Sequence, residues 1–345
     1  MSLRLWSSRL PAPRACSLRL RSLRASGFLP LLFALMLAAA PGFAESPAEP
    51  AGDFGVLLLS HGGSPEWNAT VAETVRPLRE RWRVEIAFGM ADASTMEQAV
   101  RRLEDAGVRR IGVVRLFVWG ESFLDRTRQV LGLLPGAPPR PADPDAAKAH
   151  AAEHPHGQGP ERLHGANELQ AHLEGIPFWR IETRSRCVVS SEGLAQCDTM
   201  GEVLAERVRG LSRDPARESV LLLGHGPEDD AENERWLAAL AALGDMVGKG
   251  APYRALRVET LREDWPDKRA AAIERIRSFV KEAGRDGGRA LVVPVRIQGF
   301  GPYAQVLEGL DYDSDGKGLT PHANVSRWLA EQAERLEREL DDQEN

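Results

Sequence analysis

The chain is poor in cysteine, with three among 345 residues: Cys16, Cys187 and Cys197. Two or three thiols are too few for a structural zinc site, which wants four ligands. Positive charge is also short, 44 Lys and Arg against 50 Asp and Glu for a net of −6, and that argues against a general nucleic-acid binder with a basic surface. No strand is followed by G-x-G-x-x-G and no Walker A lysine occurs, so no nucleotide cofactor is expected. There is no G-x-S-x-G elbow and no H-E-x-x-H, which leaves Ser60, Ser64 and Ser122 without the context of a nucleophile. The composition is otherwise that of a globular protein, 43% hydrophobic and 27% charged.

Acids are missing from the first 44 residues, which hold Arg4, Arg9, Arg14, Arg19, Arg21 and Arg24. An apolar run at 28–40 follows these arginines and gives way to Pro41-Gly42-Phe43-Ala44 before the first acid, Glu45. The run is shorter than the ~20 residues of a membrane span and contains Pro30. A basic leader, a short apolar centre and small residues predict a signal peptide over 1–44, with cleavage near Ala44 and a periplasmic or secreted product. Removing six arginines from 44 basic residues leaves 38 against 50 acids, a net of −12. Such a surface repels phosphate backbones and anionic lipid and tolerates cations. No nucleic acid and no stable membrane span after leader removal are therefore expected. In an oxidising compartment, Cys187 and Cys197, ten residues apart, are expected to form a disulfide.

From Phe54 the pattern alternates between strand and helix. Strands are predicted at 55–60, 84–88, 111–118, 178–184, 220–223, 256–261 and 290–297. Helices are predicted at 67–82 (bent at Pro77), 95–106 (stopped by Gly107), 121–134, 202–211, 230–246, 268–283 and 325–340. That order predicts an α/β fold with doubly wound parallel sheets. The alternation breaks at 137–175, which is rich in Pro, Ala and Gly and carries His150, His154, His156, His164 and His172. It reads as an inserted loop, and Pro155 interrupts any shared helical face for its histidines.

Two segments return. VLLLSHG at 56–62 comes back as VLLLGHG at 220–226, and the run from Arg110 to Gly120 is echoed from Arg289 to Gly299. This predicts two duplicated domains, one at 54–136 plus part of 176–212 and the other at 218–341. In open parallel sheets ligands bind beyond the carboxyl ends of the strands. His61, followed by Gly62 and Gly63, and His225, followed by Gly226, stand at those ends. A neutral imidazole there ligates a divalent metal or accepts a proton. The run DYDSDG at 311–316 matches the start of a calcium loop but lacks the closing Glu, and it reads as a solvated acidic turn.

The stretches LLLSHGG, VEIAFGMADASTMEQAVRRLEDAGVRRIGVVRLFVWG, LLLGHGPEDDAENERWL and ALVVPVRIQGFGPYAQVLEGLDY resemble the class II tetrapyrrole chelatases. Within that class they are similar to the sirohydrochlorin cobalt/iron chelatase (CbiX/SirB) family in its tandem long form. The resemblance implies two chelatase-like lobes facing across a cleft, which insert Co2+, Ni2+ or Fe2+ into a sirohydrochlorin-type tetrapyrrole, with metal ion and macrocycle as partners. It implies His61 and Glu121 as catalytic groups, and His61, His225 and Glu121 as metal ligands. It also places Gly62, Gly63, His225 and Gly226 against the bound macrocycle. The family's second histidine, two residues past the glycine after the third strand, is missing. Gly120 is followed by Glu121 and Ser122, and Gly299 by Phe300 and Gly301. Glu121 is the carboxylate expected to stand in for it. The other reading is a non-catalytic periplasmic protein that binds metal or tetrapyrrole on a degenerate chelatase scaffold. The sequence sets no oligomeric state.

Overall fold

The structure, a computed structural model, describes residues 52–142 and 175–343, which fall within one compact unit, Ala48–Asn345. The expected signal peptide and the five histidines of the expected insertion lie outside the described residues.

The first sheet holds β1 (Phe54–Ser60), β2 (Arg83–Phe88), β3 (Arg110–Leu116) and β4 (Arg186–Val189), all parallel, in the order β2-β1-β3-β4. β1 is buried along its whole length, as its unbroken apolar run requires of a central strand covered on both faces. The second sheet holds β5 (Glu218–Gly224), β6 (Ala255–Thr260) and β7 (Arg289–Val295) in the order β6-β5-β7, again parallel. The two central strands, β1 and β5, are those that carry the returning VLLL motif.

Helices cover both faces of each sheet. α1 (Pro65–Val75) is capped by Ser64, and Pro77, which has no N–H to donate, turns its continuation into a 3-10 stretch at Arg76–Glu80. Asp92 caps α2 (Ala93–Asp105) by accepting from the Ser94 and Thr95 amides at 2.7 and 3.1 Å. α3 (Leu124–Val130) is shorter than the predicted 121–134. The buried Arg115 side chain explains the loss: Nη1 donates to Ser122 O at 2.6 Å, Nη2 to Gly120 O, and Nε to Ser190 O at 2.8 Å. The guanidinium fixes these carbonyls in a non-helical loop, and Phe123 leaves the turn at φ +56°.

The predicted strand at 178–184 is a correction. That segment is anchored by single bonds, Arg180 N to Pro138 O and Ile181 N to Val130 O. Its Trp179 and Ile181 fill the core beneath α2 without joining the sheet, and the fourth strand is β4 instead.

The chain then exchanges helices between its halves. α4 (Asp198–Leu211) follows β4 but packs on β7 and on α5 (Asp230–Gly250). α6 (Pro266–Ala283) and the short α7 (Tyr303–Val306) cover the outer face of the second sheet. α8 (Ala323–Asp342) comes last and packs back on β3, β4 and α1 of the first half. The largest core cluster therefore lies between the two sheets, drawing Val56 and Leu58 from one, Val220 and Leu222 from the other, and Val203, Leu240 and Trp328 from the helices. Among the described residues no helix is long and apolar enough to cross a membrane.

Cys187 and Cys197 are free thiols, which corrects the expected disulfide. Cys187 on β4 packs with the α2 side of the first sheet, while Cys197 at the start of α4 packs with the cluster between the sheets. Burial pushes the Cys187 thiol up to about 12. The acids of 311–316 are not a solvated turn: Arg289 holds Asp313, and Arg207 holds Asp315.

Candidate functional site

Both histidines stand where the strand pattern predicts. His61 follows the last residue of β1, and its ring belongs to a half-buried residue. The loop behind it is fixed by the Trp67 indole, which donates to His61 O at 2.9 Å, and by Asn68, which accepts from Gly63 N at 3.2 Å. The Trp67 ring lies so close to Gly63 that a Cβ there would fall 2.8 Å from it, so this position demands glycine. Gly62 packs beside Phe88 at the end of β2.

Glu121 crosses to the other half, where Arg235 of α5 holds it at 2.9 Å. Trp119 and Trp236 meet beside it with ring centroids 5.3 Å apart. At the other end of the same edge, Gln298 donates to Trp67 O at 2.9 Å. The carboxyl ends of the two sheets are thus tied together by residues from both halves.

His225 follows β5, and Gly226 turns the chain at φ +81°, where a Cβ would meet Thr260 at 2.6 Å. Each ring nitrogen faces an acceptor. Nδ1 lies 2.7 Å from Gly226 O, and Nε2 lies 3.1 Å from Glu263 Oε1 and 3.0 Å from Asp264 Oδ2. A carbonyl and two carboxylates only accept, so both nitrogens carry protons and the ring is an imidazolium. This corrects the expectation of a neutral imidazole at His225. Burial by itself lowers the pKa of the ring; the Glu263 charge and the Asp264 hydrogen bond and charge outweigh burial and the opposing Arg296, and raise it to about 9. The ring remains 34% exposed. In the free protein the His225 ring resonances are expected to stay those of an imidazolium through pH 7 and to move at about pH 9. Asp264→Asn should bring that midpoint down towards the ordinary histidine value of about 6.5, and an unchanged midpoint in this variant would remove Asp264 as a cause.

Glu263, Asp264 and Arg296 did not stand out in the sequence. The signal was present: an acid pair just past the end of β6, and an arginine just past the end of β7. Both places obey the same strand-end rule that picks out the histidines. Arg296 Nη1 donates to both Glu263 oxygens, at 2.9 and 3.2 Å, and its guanidinium lies 5.5 Å from the Tyr303 ring centroid.

The structure gives Glu121 and His225, both expected metal ligands, separate partners. Glu121 is held by Arg235, and His225 by Glu263 and Asp264. Among the described residues no group of three His, Cys, Asp or Glu side chains is arranged to hold a metal ion.

The fold is chelatase-like, with a histidine just past the end of each central strand. Residues 55–122, which include His61 and Glu121, match the CbiX family. SirB from Bacillus subtilis, solved with Fe3+, is similar over 83% of this chain and 96% of its own, at 12% identity and a TM-score of 0.52. The cobalt complex of SirB from Bacillus subtilis subspecies spizizenii is 11% identical over 83% of this chain and 95% of its own, with a TM-score of 0.48. DR2241 from Deinococcus radiodurans is described as multi-domain, with structural similarity to chelatases and two additional novel domains. It is 17% identical over 82% of this chain, with a TM-score of 0.46, and this chain spans 55% of its length. No curated protein matches the chain. The first half thus carries a segment similar to the CbiX family, within an α/β fold similar to that of SirB.

Proposed function

We propose that the chain inserts a divalent metal ion, Co2+, Ni2+ or Fe2+, into a sirohydrochlorin-type tetrapyrrole, and that it does so at the first half's strand edge. The observation that carries this reading is His61, at the carboxyl end of the central strand of the segment matching the CbiX family. The metal and the macrocycle are the two substrates. Two pyrrole N–H protons leave as the metal enters, and an imidazole accepts protons near neutral pH. His61 is the first metal contact; once the metal has passed to the macrocycle it accepts one of the two protons, and the other leaves to solvent water. Glu121 keeps a negative charge across the edge, balanced by Arg235 in the resting protein. The turn of Gly62 and Gly63 lets the backbone approach the flat macrocycle closely.

A second reading is binding of metal or tetrapyrrole without turnover. Two observations favour it: Glu121 is tied to Arg235, and His225 already carries both of its protons. The basic, acid-free leader supports action outside the cytoplasm.

The test uses the full chain with sirohydrochlorin and each metal, following the macrocycle's absorption. Metallation above the protein-free rate is expected, with His61→Ala lowering the protein-dependent rate about 100-fold and His225→Asn leaving most of it. A wild-type rate equal to the blank removes the enzyme reading. Saturable binding at that blank rate supports the second reading instead.

A further inference from the structure

We propose that Gln298 is a positioning residue for His61: the second half sets where the imidazole of the first half's strand edge stands, and it acts through Trp67. The proposal rests on the reading of His61 as the group that meets metal and proton, and part of its test needs no turnover.

Two hydrogen bonds in series make the connection. Gln298 Nε2 donates to Trp67 O at 2.9 Å, and the Trp67 indole donates to His61 O at 2.9 Å. A backbone carbonyl only accepts, so the Gln298 amide must turn its NH2 towards α1. Trp67 lies in the first turn of α1, and its ring also lies against Gly63. A shift of that turn is therefore passed to both ends of the His61-Gly62-Gly63 loop. The far end of the relay is braced. Leu319 N donates to Arg296 O at 2.7 Å, and Thr320 donates to Ile297 O from N at 2.9 Å and from Oγ1 at 2.7 Å. Gln298 thus reaches across from a backbone fixed on its own side.

The relay runs in one direction. Gln298 and Trp119 hold the same place in the two halves, each just before the glycine that closes the returning run, Gly299 or Gly120. Each reaches the first helix of the opposite half, Trp119 stacking near Trp236 on α5 and Gln298 bonding Trp67 on α1. The histidine carbonyls are held differently. His225 O accepts from Arg262 N at 2.6 Å, within its own half. His61 O accepts from Trp67, which the other half holds. A misplacement of about 1 Å at a reacting group costs up to ~100-fold in rate, so a brace of this kind bears on the chemistry without touching substrate.

The first readouts are the Trp67 indole proton and the His61 ring in NMR spectra of the full chain, with no metal or macrocycle. Gln298→Met keeps the length of the side chain and removes the donor. It is expected to speed exchange of the Trp67 indole proton about 5-fold and to move the His61 ring resonances, with amide exchange in β5–β7 unchanged. Ser326→Ala cuts a bond to the other end of α1, Ser326 Oγ to Thr74 O, and should change neither readout. With sirohydrochlorin and Co2+, Gln298→Met should lower kcat about 10-fold and leave KM for the macrocycle near its wild-type value. In the His61→Ala background it should add no further loss. A folded Gln298→Met in which either NMR readout keeps its wild-type value overturns the proposal, and so does an equal 10-fold loss without His61. If Gln298→Met does not fold, Gln298→Glu, which keeps the shape and has no donor when ionised, is held to the same outcomes. If the wild-type chain metallates nothing, the catalytic reading fails by itself, and the two NMR readouts decide the positioning role.

Discussion

Trp328→Ala is expected to destabilise the chain by about 3–5 kcal/mol, the range for emptying a buried tryptophan site, measured by denaturant unfolding. Trp328 is 2% exposed and lies in the cluster between the sheets. It sits on α8, the helix that returns from the second half to cover the first. The return is fastened along its length: Ser326 donates to Thr74 O at 2.7 Å, Gln332 and Arg335 bind Glu192 at 3.0 and 2.6 Å, and Glu337 accepts from Trp82 Nε1 at 3.2 Å. Hydrogen exchange should therefore quicken in β3 and β4, although they lie more than a hundred residues earlier in the chain. Quickening confined to β5–β7 would contradict the exchange of helices. Trp328→Phe should recover most of the loss, because the buried indole N–H has no hydrogen-bond partner to forfeit.

The second large effect is expected at Glu218, the first residue of β5, which is fully buried. Its carboxylate accepts from Ser212 Oγ at 2.5 Å, Arg213 N at 2.8 Å and Asp214 N at 3.1 Å, and pairs with Arg289 at 2.5 Å. Burial alone would raise its pKa. The Ser212 and backbone hydrogen bonds, with the Arg289 charge, overcome burial and hold it below the usual carboxylate range. A depressed folded pKa contributes stability that is present above the unfolded value, about 4.3, and is lost as pH falls through the folded value. Glu218→Ala should therefore cost about 3–5 kcal/mol at pH 7, since it strands buried donors and leaves Arg289 short of one partner. Its deficit should shrink below about pH 4. A deficit constant with pH would show that shape rather than charge is what Glu218 provides.

Much of this architecture was legible in the residues. β1, β5 and β7 are built around the apolar runs of covered parallel strands, and Gly107 and Pro77 mark a helix end and a helix bend where the chain obeys them. The misreadings have physical causes. Phe178, Trp179 and Ile181 look like a strand because they are apolar, yet they fill space beneath α2 without pairing. The helix predicted from 121 loses its first turn where Arg115 binds the carbonyls of Gly120 and Ser122.

The site was legible in position and not in chemistry. Strand ends picked out His61 and His225, but nothing local to VLLLGHG announces that Glu263 and Asp264, nearly forty residues on, accept from the second ring and favour its charged form. Glu121 was chosen for its carboxylate, and its partner on α5 is visible only once the halves meet. The two thiols are close in sequence and sit in different packing clusters, a separation that spacing along the chain does not reveal.

The traded helices also bear on how such a chain ages under mutation. Because α4 roofs the later sheet and α8 roofs the earlier one, deleting either half would strip the survivor of its cover and bare an oily surface to water. Selection must then keep both halves as walls even where only one still works as a bench.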